Sequence, residues 1–418
     1  MNKKIMMLSL AIVLTALLSA CGNSGSSETN GKVTLTLFST MSNNGERKAF
    51  EEVIRDFEKE HENIQIDANF PGNSYEDMIR VKMGANDMPD LFDTHGWAKL
   101  RYSEYVADLK EMDWVKHLDP SLDKILKDKD GKVYAYPLNQ AKDGLSYNAN
   151  LLKEYGIKVP ETLDELKHAL KTVKEKSKGK VVPLWIPGGD NSNIAQVFDE
   201  LATPLLITDQ NHHHGKELEN GTFDWSKYTP LAQLMKDLKD QELLNKDVLT
   251  AKLSQAPELM AQNKIAFTFV GGSLGPEATE LNSSIKVGTM PVPAIYEGDK
   301  QSWIGGERFT VAAWKDSKHL KEAKQFIAFL AKPANAKKIA EGTSSETALK
   351  QVHAKNYYSE FYKRYQHIKI EPYFDRKYLP SGMWAVMATT GQELLAGSMT
   401  PEQLSKKMEE EYQRLQKQ

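Results

Sequence analysis

Two hydrophobic periods alternate along residues 33–92, and a fold must bury both kinds of apolar face at once. "VTLTLF" (Val33 to Phe38) alternates residue by residue as a half-buried strand does, and Phe50, Val53, Ile54 and Phe57 then recur at helical spacing. "NIQIDANF" returns to the strand period, Tyr75 to Ala85 reads as helix, and "PDLFD" as strand. This order predicts an α/β sheet with helices on its faces. The pattern restarts after "VYAYPLNQAKDGLSYN": Leu163, Leu166, Leu170 and Val173 mark a helix, "VVPLWI" a strand, Leu231, Leu234, Met235 and Leu238 a helix, and "KIAFTFV" and "IKVGTMPVP" two more strands. A helix through Leu320, Ala323, Phe326, Ile327 and Leu330 and a solvated one in "PEQLSKKMEEEYQRLQ" follow. The 418 residues exceed a single usual core, so two lobes are expected.

The start of the chain speaks to compartment. Lys3 and Lys4 precede the apolar run Ile5 to Leu18, and "LSAC" follows, the order of a secretion signal over residues 1–20. "LSAC" resembles the lipobox of bacterial lipoproteins, with cleavage before Cys21 and a diacylglycerol on its thiol. Cys21 is the only cysteine in the sequence, so no disulfide within the chain is possible. Two acyl chains on one residue suffice for stable anchoring, and residues 21–32, with "GNSGSSETNG", read as a flexible tether. Loss of the leader removes Lys3 and Lys4 and no acid, leaving 52 basic against 57 acidic side chains, a net of −5 with neutral histidine. Such a chain has no basic face for nucleic acid. The charge-rich segment Lys350 to Lys369 alternates acids and bases and reads as a solvated helical face.

Three kinds of chemistry are compatible with the motifs. "GGSLG" (Gly271 to Gly275) matches G-x-S-x-G between a strand and a helix, the context of a hydrolase nucleophile elbow. Ser273 would be the nucleophile, with Asp299 or Asp316 and then His319, His353 or His367 completing a triad; no HGGG-type motif precedes it. The competing reading is a glycine-rich turn that lets backbone approach a ligand, with Pro276 at the first helical position. Asp93 and His95, two apart on a strand, could begin a metal site, but two ligands do not complete one. The run His212, His213, His214 reads as loop, since three adjacent histidines cannot all point at one ion. The third reading takes the strand tips together: Ser39, Thr40, Asp93, His95, Trp97, Asp143, Trp185, Asp190, Trp303, Glu307, Tyr373, Asp375 and Trp384. Short acids and aromatics at the ends of α/β strands suit a sugar, whose C–H faces stack on rings and whose hydroxyls need paired donors and acceptors. Acids alone would also suit a polyamine; the tryptophans favour a sugar.

At this point the chain resembles the family 1 extracellular solute-binding proteins of bacterial ABC importers, relatives of maltose-binding protein. The marks are "LTLFST", "FEEVIRDFEKEHENIQI", "MPDLFDTHGW", "VYAYPLNQAKDGLSYNANLLKEYGIKVPETLDEL", "ELMAQNKIAFTFVGG", "WIGGERFTVAAWKDSKHLKEAKQFIAFL" and "SGMWAVM", in this order. Among subfamilies the likeness is to multiple-sugar-binding lipoproteins of the raffinose and melibiose type. It implies a two-lobed type II periplasmic-binding fold with an N-terminal lobe of 33–140 and 275–332 and a C-terminal lobe of 141–274 and 333–418. Crossovers are expected near 139–145, 270–275 and 330–336. It implies sugar contacts at Ser39 and Thr40, at Thr94, His95 and Trp97, at Asp143 and at Trp384. Many relatives carry a tryptophan where this chain has Gly272 and Ser273, so Trp303 or Trp185 is expected to substitute. The resemblance further implies a monomer without enzymatic activity, cofactor or resident metal, lipid-anchored outside the cytoplasm. Its oligosaccharide would pass to a permease driven by a separate ATPase, since no P-loop pattern occurs here.

Overall fold

A computed structural model describes residues 32–41, 44–190 and 192–417. The expected leader, Cys21 and the tether up to Gly31 lie outside the described residues. Among the described residues the strands are β1 (Val33–Phe38), β2 (Ile64–Asn69), β3 (Leu91–Phe92), β4 (Tyr136–Pro137), β5 (Gln140–Asp143), β6 (Leu145–Asn148), β7 (Val182–Trp185), β8 (Ile265–Thr268), β9 (Val287–Met290), β10 (Trp303–Glu307), β11 (Thr310–Ala313) and β12 (Ile370–Pro372). They form three sheets, ordered β2-β1-β3-β11-β4, β7-β8-β6-β9 and β12-β10-β5.

The first sheet is the floor of one lobe. β1 runs parallel to β2 and β3, and β11 closes antiparallel on β3 and β4. The helix Asn44–Glu60 lays Phe50, Val53, Ile54 and Phe57 into a core that also holds Phe92, Phe326 and Ile339. The second sheet carries the other lobe, with a core through Leu170, Phe198, Phe267 and Met387 and an adjoining cluster around Trp185, Ile265 and Val287. Capping boxes start two of its helices. Thr162 and Glu165 reciprocate at Leu163–Lys176, and Thr400 and Gln403 do so at Pro401–Gln416, satisfying N–H groups that helix geometry leaves orphaned.

The third sheet is the hinge. β10 pairs antiparallel with β5 and parallel with β12, so chain passing between lobes is held by sheet hydrogen bonds. The resemblance's boundaries therefore move. Residues 275–292, expected in the first lobe, pack in the second, because β9 pairs with β6 and Ala278, Ile285 and Val287 join the Trp185 cluster. Ala336, Ile339, Ala348, Leu349 and Val352, expected in the second lobe, pack in the first. The second crossing lies at β10 rather than at 270–275, and the third follows Val352 rather than lying at 330–336. In the segment Lys350 to Lys369 only Ser359–Arg364 is α-helical, and Tyr362 and Tyr365 pack edge-on to Trp303 instead of facing solvent. The helix after "GG" begins at Leu274, which places Pro276 within its first turn but not at its first position.

Candidate functional site

The ends of β1, β3 and β11 meet through one carboxylate. Asp93 is fully buried; its Oδ1 accepts from the main-chain N of His95 and Thr310 (2.9 Å each) and from Thr310 Oγ1 (2.8 Å). Its Oδ2 accepts from the Thr40 hydroxyl and main-chain N. Thr94 is likewise tied to Thr310, its Oγ1 2.8 Å from that hydroxyl, and Ser39 Oγ accepts from Met41 N at 3.3 Å. Asp93, Thr94 and Ser39 are thus scaffold for the loops. The strand-tip reading took Ser39 and Asp93, and the resemblance Thr94, as sugar contacts; here each is hydrogen-bonded to neighbouring protein groups. Nor is Asp93 half of a metal pair: its lone pairs are used, and His95 turns to Glu76. Among the described residues no three His, Cys, Asp or Glu side chains are gathered to hold an ion.

Glu76 also receives Arg101, whose guanidinium lies 4.6 Å from the Trp97 ring centroid. Trp97, Trp185 and Trp303 are 5 %, 2 % and 1 % exposed, so none offers an open ring face. Trp185 is core because β7 turns it toward Ile265 and Val287. Trp384 differs: it lies in the first turn of the helix Met383–Ala396, is partly exposed, and donates Nε1–H to Ser192 Oγ at 2.9 Å. Asp190 accepts from Leu253 N at 2.8 Å and from Lys252, ordering a loop of the second lobe.

The hinge strands and the second lobe supply the rest. Asp143, at the end of β5, accepts from the Tyr373 hydroxyl and lines a narrow interlobe cavity with Gly272, Arg308, Ser344, Ser345 and Tyr362. Arg308 pairs with Glu46 at 3.1 Å, and a Cβ on Gly272 would stand 2.8 Å from its Nη2. Gly272, at φ +61°, takes the left-handed turn, while Ser273 sits at φ −76°, ψ −3°, ordinary helical values. A nucleophile elbow strains its serine; here the left-handed turn falls on the glycine before it, which adopts it without strain, so "GGSLG" is a close-approach loop.

Sequence reasoning named Glu307 and Asp375 but missed the buried acids Asp199 and Glu200 beside them and the counter-ion Arg376. Asp199 and Glu200 lie on the helix Ser192–Leu206 and Asp375 on Phe374–Tyr378, all fully buried. Asp199 accepts from the main-chain N of Asp375 (2.7 Å) and Phe374 (3.3 Å). Both carboxylate oxygens of Asp375, both of Glu307 and one of Glu200 have no partner among the described residues. Burial pushes all four carboxyls up, Asp199 and Glu307 to about 7, with Arg376 opposing the rise at Asp199, Glu307 and Asp375. The signal was present in "IAQVFDELATPLL", where adjacent acids interrupt a largely apolar helix.

The Glu307 shift has a measurable consequence. With its folded-state value raised, the native protein holds more protons than the unfolded chain between about pH 4 and 7, and this carboxyl's contribution to stability falls as pH rises through that window. Glu307→Gln should gain about 2 kcal/mol more over the parent at pH 8 than at pH 5.5. Urea unfolding at the two pH values checks it; an equal difference at both would place the charge elsewhere.

The cavity lined by Asp143 and Arg308 thus lies between two lobes, each with its own sheet, joined by the third. Residues 42–337 match the family of bacterial extracellular solute-binding proteins. The chain belongs to that family. The solute-binding protein is 55 % identical over 416 residues to the melibiose/raffinose/stachyose-binding protein MelE of Bacillus subtilis (strain 168), covering 100 % of this chain and 97 % of that one. Its fold is similar to a Bacillus licheniformis sugar transporter solved with stachyose, at 64 % identity and TM-score 0.86 over 92 % of this chain and 100 % of the other. It is equally similar in fold, TM-score 0.86, to a binding protein of Bacillus subtilis solved in an open conformation, at 56 % identity over 93 % and 99 % of the two chains.

Proposed function

We propose that this solute-binding protein captures an α-galactoside oligosaccharide of the melibiose, raffinose and stachyose series and delivers it unchanged to an ABC permease with its own ATPase chain. The similarity along the whole chain to MelE carries this reading. The chemistry between the lobes supports it. Sugar hydroxyls are donors in search of acceptors, and the unpartnered oxygens of Glu307 and Asp375 are buried acceptors. Asp143 adds a third acid beside Tyr373. Lipid attachment at Cys21 would hold the receptor on the outer face of the membrane, where a monomer suffices.

Trp384 is the platform on which a sugar ring would stack, so Trp384→Ala should weaken oligosaccharide binding by about 1–3 kcal/mol, by analogy with base-on-aromatic stacking. Unchanged affinity would remove it from the site. The experiment that tests the function is calorimetry of protein lacking residues 1–21 against raffinose, melibiose, stachyose, maltotriose and a simple hexose, with recovery of the sugar. Tight binding of the galactosides with intact sugar recovered is expected. Preference for maltotriose overturns the substrate, and cleaved sugar overturns the receptor.

A further inference from the structure

One side chain of the second lobe crosses to the first. Arg376 follows the buried Asp375 on the short helix Phe374–Tyr378, and its guanidinium lies 3.9 Å from the Tyr373 ring centroid. Its Nη1 donates to the main-chain oxygen of Glu307, on the hinge strand, at 3.1 Å. Beyond, the side chain meets Gly96 in the loop after β3. A Cβ built on Gly96 would stand 2.3 Å from Arg376 Cδ and Nε and 2.5 Å from Cζ. These are not the loose end of a flexible chain, because Tyr373 and Glu307 hold the guanidinium in place. Both residues line an interlobe cavity of about 130 Å³, together with Lys99, Leu100, Tyr373 and Lys377.

We propose that Gly96 is the seat of Arg376, and that this contact is a positioning device that sets both lobe closure and the placement of the acids offered to the sugar. Two independent features require glycine there. The clash is one; the other is φ +96°, a left-handed value that side chains rarely adopt. Electrostatics gives the arginine its second role. The carboxyls of Asp199, Asp375 and Glu307 all feel its charge, so one guanidinium at the lobe boundary is the shared counter-ion of acids in the second lobe and on the hinge. A planar guanidinium suits the stack on Tyr373 and a fixed donor, where a lysine would supply only a point charge. A reciprocal contact reinforces the arrangement: Arg101 of the first lobe donates Nε–H and Nη2–H to Ser381 Oγ of the second, 3.3 Å each.

The role in closure stands apart from the choice of sugar; the role in placing the acids rests on the proposed function. Protein lacking residues 1–21 has no cysteine, so Val81→Cys in the first lobe and Leu281→Cys in the second, both exposed, accept a spin-label pair. Pulsed electron-spin distances are then measured without sugar and at saturating stachyose. Gly96→Ala should lengthen the interlobe distance in both conditions and weaken stachyose roughly ten-fold or more, a population shift away from the closed form. Gly96→Asn, which tolerates left-handed backbone better but still carries a Cβ, should do the same, and it serves if the alanine variant does not fold. The decisive comparison is the double variant. With Arg376→Ala in place the obstacle is gone, so adding Gly96→Ala should lengthen the distance no further. Closure of Gly96→Ala like the parent, or additive effects of the two substitutions, would overturn the proposal. If no galactoside binds, the sugar-free distances still decide the closure role, which separates its failure from that of the substrate assignment.

Discussion

Replacing Asp93 by alanine is expected to lower the unfolding free energy by about 3–5 kcal/mol, the loss that follows when more than one buried donor is left without an acceptor at about 1–3 kcal/mol each. The carboxylate receives hydrogen bonds from Thr40 on the loop after β1, from His95 on the loop after β3 and from Thr310 at the start of β11. These strands are neighbours in the order β1-β3-β11, so Asp93 ties together the ends of the central part of the first sheet. Alanine would strand the buried main-chain N–H of Thr310 without an acceptor. Asp93→Asn keeps the shape and one acceptor oxygen and should cost clearly less. Urea unfolding followed by circular dichroism measures both. A loss below about 1 kcal/mol for Asp93→Ala would mean that the Thr310 and His95 donors find other partners. Sugar affinity of the folded Asp93→Asn protein should change little, because these oxygens are already used by the protein.

How far the sequence could be read depended on the range of the interaction. Local periodicity was enough for "VTLTLF", for the helix carrying Phe50 and Phe57, and for Tyr75 to Ala85, whose described limits are Tyr75–Ala85. Pairing was not legible: "IKVGTMPVP" has the composition of a strand in either lobe, and only its hydrogen bonds to β6 place it in the second. Strand-tip residues were legible as a set but not in their directions. Asp93 and Asp143 both end short strands beside the interlobe region, yet one is saturated by backbone donors and the other faces the Tyr373 hydroxyl. Trp185 shares its strand-end position with them and points into the core, since successive side chains of a strand alternate faces. Arg376 was invisible because nothing in "YFDRKY" says that its partner is a glycine some 280 residues earlier.

Asp143→Ala should be the substitution that most weakens galactoside binding, by about 1.5–3 kcal/mol, the range for a hydrogen bond to a charged group. Three features distinguish it from the other acids. It stands at the end of β5, where the chain enters the second lobe, so its position is fixed by sheet pairing with Ile304. It accepts from Tyr373, the residue on which Arg376 stacks, and so anchors the arginine's platform as well as facing the cavity. And it lies near Arg308, whose guanidinium feels its charge together with that of Glu46. Removing it would cost the sugar an acceptor, release Tyr373 and leave Arg308 with one counter-ion fewer. Asp143→Asn retains the acceptor for Tyr373 and should recover part of the affinity; Tyr373→Phe removes the donor but leaves the acid, and should fall between the two. Calorimetry with stachyose ranks the three, and thermal unfolding controls for stability, which should change less because Asp143 is only half-buried. An affinity loss confined to Tyr373→Phe, with Asp143→Ala binding like the parent, would assign the sugar to the tyrosine and leave the acid as its support.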